Sequence, residues 1–140
     1  AGRAVCAKPW EWATLDTELY GCASDPASSR RQVLEEYCEF AAAYEASVPQ
    51  RIRGLLIAPP LNLFAGEPHG KTFRRTIDQM AAADKQRGAA DMLLAAANEV
   101  LLDETLDAPP GWRWDYREKL YVPPSVAAAV ADPSVGVAVA

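Results

Sequence analysis

Lys71, Arg74 and Arg75 are the residues whose types and spacing most directly suggest chemistry. On a helix, positions i and i+3 share a face, so Lys71 and Arg74 point together with Arg75 on their flank, away from an apolar stripe through Phe73 and Ile77. They follow the loop Gly66-Glu67-Pro68-His69-Gly70, at a helix start where free backbone N–H groups and the positive end of the dipole also favour an anion. That pattern is either a phosphate-binding edge or an ordinary solvated face. Gly2-Arg3, read as the turn after a buried strand, could hold a phosphate through backbone N–H groups and a guanidinium; the plain alternative is an unremarkable turn. His69 reads as a solvent-facing loop residue, because no cysteine, serine or carboxylate motif accompanies it. Cys6, Cys22 and Cys38 are odd in number, without a CxxC pair, beside a single histidine. They support neither a disulfide framework nor a zinc site, and read as reduced thiols of an intracellular protein.

The charge is unevenly spread. The chain carries a net −5, which argues against a generic nucleic-acid binder. Between residues 51 and 88, however, seven basic residues (Arg51, Arg53, Lys71, Arg74, Arg75, Lys85, Arg87) face three acids (Glu67, Asp78, Asp84), a local +4 that leaves −9 for the rest. A polyanion would meet the protein through this middle third. Glu35, Glu36 and Glu39 read as the wet side of a helix, and Trp10 and Trp12 as core or interface rather than ligand stackers.

The elements that must position these residues read as helical. Of 140 residues, 70 are apolar and 27 of those are alanine, which favours helices and is depleted from strands. The expected fold is an all-α bundle. No apolar run approaches the ~20 residues needed to cross a bilayer, and no charged-then-apolar leader opens the chain. Residues 1–7 read as the end of a buried strand. A first helix is expected from Pro9 to about Tyr20, with Trp12, Leu15 and Leu19 inward and Gly21 as its left-handed stop. Ser29 and Gln32 resemble a capping box opening a second helix to about Ala46, with Val33, Tyr37, Phe40 or Ala41, and Tyr44 on one face. Ile52 to Phe64 is expected to break at Pro59-Pro60. A fourth helix, with Phe73, Ile77, Met80 and Ala81 inward, should end near Gly88, and a fifth should run from about Ala90 to Leu106 with Leu93, Ala97, Val100 and Leu101 inward. Beyond Pro109-Pro110, Trp112, Trp114, Tyr116 and Tyr121 read as an aromatic stretch packing along the bundle, and the Ala/Val-rich end as a loose tail.

Taken in series, three blocks carry a resemblance. Gly2-Arg3-Ala4 with Lys8-Pro9-Trp10 resembles the end of the barrel in tRNA-dihydrouridine synthases, where a Gly-Arg pair follows the last strand. Ser29-Arg30-Arg31-Gln32-Val33-Leu34 looks like the start of that family's C-terminal helical domain. Leu63-Phe64-Ala65-Gly66-Glu67-Pro68-His69-Gly70-Lys71-Thr72-Phe73-Arg74-Arg75 is similar to a segment of the branch acting on the D-loop of tRNA. The resemblance covers residues 2 to about 106 and nothing beyond Pro109. It implies a barrel-end remnant over 1–22, a helical tRNA-binding domain over 23–108 and a tail over 109–140.

The same resemblance implies that Gly2 and Arg3 fall at the phosphate site of FMN and that Lys71 and Arg74, with Arg75 beside them, contact tRNA. In that family an FMN-bearing (β/α)₈ barrel with a catalytic cysteine reduces uridine to dihydrouridine. None of Cys6, Cys22 and Cys38 stands in that context, so no catalytic residue is assigned, and these residues alone are not expected to hold FMN. Two functional readings follow: the tRNA-binding helical part of such an oxidoreductase, or a barrel-less derivative serving as a non-catalytic scaffold or accessory subunit for other proteins. An upstream barrel sequence would favour the first.

Overall fold

Ser29 opens the longest helix. Its hydroxyl accepts the Gln32 N–H at 3.1 Å, and α3 then runs over Arg30–Ser47. Only half of the expected capping box forms, because the Gln32 side chain turns to Ser28, accepting from its N–H at 2.8 Å and its hydroxyl at 2.6 Å. The computed structural model describes residues 2–125, and within them the fold is the all-α architecture expected from composition, with one small hairpin. In chain order the helices are α1 (Gly2–Ala7), α2 (Leu15–Tyr20), α3, α4 (Arg53–Leu61), α5 (Gly70–Ala83), α6 (Ala89–Val100) and α7 (Asp103–Asp107), with 3₁₀ turns at Pro9–Trp12 and Asn62–Phe64.

The alanine-rich α6 is the centre, packing against α3, α4 and α5. Its buried face is Ala89, Met92, Leu93, Ala96 and Ala97. Three of these are alanine, whose small side chain lets neighbouring helices close in. Phe73 and Ile77 of α5 pack into the same core, with Phe73 edge-on to Phe64 at 5.0 Å between centroids. One apolar cluster runs from Trp10 to Leu106. No helix among the described residues is long and apolar enough to cross a membrane.

Several expectations are corrected. Residues Gly2–Ala7 form a helix, not a strand end, in keeping with three alanines within residues 1–7. The Pro9–Tyr20 helix is split at Ala13-Thr14. Asp25 reaches back to accept the Thr17 backbone N–H and hydroxyl, both at 3.0 Å, which satisfies a free donor in the first turn of α2. Gly21 ends that helix in the left-handed region, as anticipated, at φ 67°. Trp12 and Leu19 point outward, and Trp10 is the buried residue. On α3 the buried face is Arg30, Leu34, Cys38 and Ala41; Val33 and Tyr37 are half-buried, and Phe40 and Tyr44 are exposed.

The proline pair does not break α4, which continues through Pro59 and Pro60 to Leu61. Proline at position 60 deprives the Leu56 carbonyl of its helical donor. The Tyr37 hydroxyl replaces it, donating to Leu56 O at 2.7 Å. Helix α5 ends at Ala83 rather than near Gly88, and the single helix expected over 90–106 is two, separated by extended backbone at Leu101 and Leu102. The aromatic stretch forms an antiparallel hairpin, β1 (Arg113–Asp115) with β2 (Leu120–Val122), in which Trp114 faces Tyr121. The tail expected over 126–140 lies outside the described residues.

Candidate nucleic-acid interface

Seven basic residues give the middle third its positive charge, but most of those outside α5 have structural work. Arg53 donates to the carbonyls of Ala81, Asp84 and Arg87 at 3.1, 2.7 and 3.0 Å, closing the C-terminal end of α5, where a cation also meets the negative end of the dipole. Arg51 donates to the Lys85 carbonyl at 3.0 Å, and Arg87 pairs with Asp91 one turn on. What remains for an outside anion is concentrated at the start of α5. Lys71, Arg74 and Arg75 are all exposed on its first two turns, while Phe73 between them is fully buried. Arg74 donates to Asn62 Oδ1 at 3.1 Å, and the Asn62 amide donates to the Cys6 carbonyl at 2.9 Å. The edge is thereby tied to the end of α1.

The local backbone explains how the edge is presented. His69 adopts left-handed backbone at φ 61° and caps α5 without a side-chain hydrogen bond, and the Gly70 N–H is taken up by the Glu67 carbonyl at 3.0 Å. Gly70 follows because the loop folds back on itself: a Cβ there would collide with the Phe64 carbonyl oxygen. His69 is exposed, as its loop position suggested.

Gly2 and Arg3 are exposed on α1, and neither lines the cleft beside Trp10 or the one beside Arg53. A flavin needs walls for its ring system as well as donors for its phosphate. Gly2 and Arg3 by themselves offer donors for a phosphate and nothing for the ring system.

A second constellation escaped the sequence reading. Arg30, 3% exposed, donates through Nε to the Leu63 carbonyl at 3.1 Å and through Nη2 to Glu67 Oε1 at 2.5 Å. The other Glu67 oxygen accepts the Tyr121 hydroxyl at 2.5 Å. Tyr121 Oη also lies 3.0 Å from Thr105 Oγ1; with its one proton committed to Glu67, Thr105 is the donor there. Burial pushes the Arg30 guanidinium below its usual pKa, an effect that Glu67 opposes. Burial, reinforced by the Glu67 carboxylate, holds the Tyr121 phenol above the ordinary range.

One signal for this cluster was available. Arg30 and Arg31 open α3, whose first turn holds no acid, and cations there oppose the helix dipole. Carboxylates from elsewhere in the chain had to compensate. Arg31 meets them in Asp103 and Asp107 of α7, at 2.9 and 2.6 Å.

Phe40 and Tyr44 stack at 5.7 Å on the outer face of α3. Among the described residues no group of histidine, cysteine and carboxylate side chains is arranged to hold a metal ion. Comparison with protein-family models, curated proteins and solved structures finds no match.

Proposed function

We propose that this chain is the tRNA-gripping helical part of an FMN-dependent tRNA-dihydrouridine synthase, with Lys71, Arg74 and Arg75 as its phosphate contacts. The observation that carries the reading is the sorting of the basic residues. Arg53 closes the end of α5 and Arg87 pairs with Asp91, whereas Lys71, Arg74 and Arg75 stand exposed side by side at the start of α5, Arg74 positioned by its bond to Asn62, where the helix dipole adds to their field. The three sequence blocks, in the order the resemblance requires, support the same assignment. In this reading Gly2 and Arg3 contribute to a phosphate site only within a complete barrel, and FMN and the reducing chemistry belong to that barrel. What the described residues do is hold and orient the RNA backbone.

Such contacts position an RNA without reading its sequence. Changing Lys71, Arg74 or Arg75 singly to alanine should therefore weaken binding to all tRNAs alike, and each change should reduce the salt slope by about one unit. Substitutions that leave the slope as it was would remove the edge from RNA binding. The second reading, a scaffold or accessory subunit in a protein assembly, draws on the exposed Phe40–Tyr44 stack, an apolar patch suited to a protein partner. It gains if tRNA binding is absent and alanine at Phe40 and Tyr44 disrupts a complex.

A further inference from the structure

Helix α3 carries two apolar faces, and the described residues cover one of them. Leu34, Cys38 and Ala41 point into the core beside Arg30. Val33, Tyr37, Phe40 and Tyr44 form the second face, separated in turn by four, three and four residues, the spacing with which one helix meets another along a seam. Phe40 is 56% and Tyr44 47% exposed, and their rings stack on each other. Tyr37 lies 6.0 Å from the Phe40 ring and reaches α4 through its hydroxyl on the Leu56 carbonyl. The α4 positions left exposed, Gly54, Leu55, Ala58 and Pro59, bear no polar side chain, and Leu55 is 76% exposed. A helix that is apolar on its outward side as well as its inward one is ordinarily a covered helix.

Charge narrows what covers this face. From residue 32 to residue 50 the chain has four acids and no base. Glu45 is taken by the Ala89 N–H at 3.0 Å, but Glu35, Glu36 and Glu39 are exposed and meet no cation among the described residues. By helical geometry Glu36 and Glu39 border the aromatic seam on the side away from the core. Phosphates of RNA or of an anionic lipid surface are repelled there. A second copy pairing through the same face would add its own acids and no base, and residues 126–140 contain no base either. The occupant that fits is a separate helix with apolar residues at the same spacing and Lys or Arg beside them.

We propose that this face of α3, continued by the exposed side of α4, docks an amphipathic helix of a partner protein. The partner's apolar stripe meets Phe40 and Tyr44, and its basic residues meet Glu36 and Glu39. The inference draws on the accessory-subunit reading for the existence of a protein partner and supplies that partner's chemistry. It is independent of Lys71, Arg74 and Arg75, which lie on α5.

Two synthetic peptides of about 18 residues test it, each about 27 Å long as a helix. Both carry leucine at alternating spacings of four and three, with lysine at the flanking positions of one and glutamate at those of the other. The full chain should bind the lysine peptide with a micromolar dissociation constant and the glutamate peptide at least about 10-fold more weakly. Phe40→Ala and Tyr44→Ala should each weaken the lysine peptide at least about 5-fold, the loss that marks an interface residue. Both side chains are exposed, so these variants should keep the parent's circular dichroism. Glu36→Gln combined with Glu39→Gln leaves the aromatics in place and should weaken the salt dependence of binding. Equal affinity for the two peptides, no saturation by about 1 mM, or binding that survives both alanine changes would overturn the proposal. Sedimentation showing that the chain alone forms a dimer, lost in Phe40→Ala, would give the face to a second copy and overturn it as well. Lys71→Ala and Arg74→Ala should leave peptide affinity unchanged, so failure of the basic edge and failure of this face are read separately.

Discussion

Glu67 shows how a residue that looked like one more acid in a basic stretch can be the pivot of a structure. It receives Arg30 on one oxygen and Tyr121 on the other, and so joins α3, the loop before α5 and the hairpin. Removing its charge leaves a buried guanidinium uncompensated. Glu67→Gln should cost about 3–5 kcal/mol in urea unfolding, whereas replacing Arg30 and Glu67 together by apolar residues should cost much less than the two single changes added. Equal, additive losses would contradict this. Cys38 offers a second test at the same scale. Burial, with the nearby Glu35 charge, pushes its thiol from 9.0 up to about 11, and burial raises the Tyr37 and Tyr121 phenols in the same direction. A raised folded-state pKa on groups that ionise to anions favours the protonated form in the native state. The stability it contributes is complete below the unfolded value and is lost as pH rises, for Cys38 between 9.0 and about 11. The urea midpoint should therefore fall across that interval. A thiol reagent at neutral pH should modify the exposed Cys6 and Cys22 promptly and reach Cys38 only on unfolding. Three thiols of equal reactivity would be the opposing result.

Among the elements, what the sequence made legible was what local chemistry decides. Helix α3 begins at the Ser29 cap and α5 follows the Phe73/Ile77 stripe, because both signals lie within a few residues of each other. What it hid was settled by distant partners. The buried face of α3 is turned away from Phe40 and Tyr44 because Arg30 and Cys38 are drawn inward, a choice made by Glu67 and by the small residues of α6. The split before α2 depends on Asp25, and the hairpin turn on Asp115, whose carboxylate accepts the N–H of Arg117 and Glu118 while Lys119 takes a left-handed φ of 54°. The unbroken α4 depends on Tyr37. Tyr37→Phe should orphan the Leu56 carbonyl and cost about 1–3 kcal/mol, measured as a shift in the urea midpoint, while Pro60→Ala, which returns an N–H donor, should recover part of that loss. A Tyr37→Phe variant as stable as the parent would show that the helix needs no such replacement.

For the whole molecule, the separation of charge matters more than the total. The sequence located the basic third, but only the folded arrangement distinguishes the arginines that close helix ends from the cations left for a partner. The cleft lined by Trp10 and Trp112 was invisible beforehand, since these residues lie about 100 positions apart in the chain. The Gly2–Arg3 pair gives a prediction at this scale. Two charge-assisted hydrogen bonds supply at most about 6 kcal/mol, and micromolar binding needs roughly 8. The purified chain should therefore not retain FMN, and a stoichiometric flavin absorbance would contradict that.

The basic edge itself is tested most directly by filter binding of the intact chain to tRNA across a salt series. Three phosphate contacts at a slope of about −0.7 to −0.9 each predict a roughly 20- to 40-fold loss of affinity between about 50 and 200 mM salt. Undetectable binding at about 50 mM, or binding that salt does not weaken, would contradict RNA recognition through Lys71, Arg74 and Arg75.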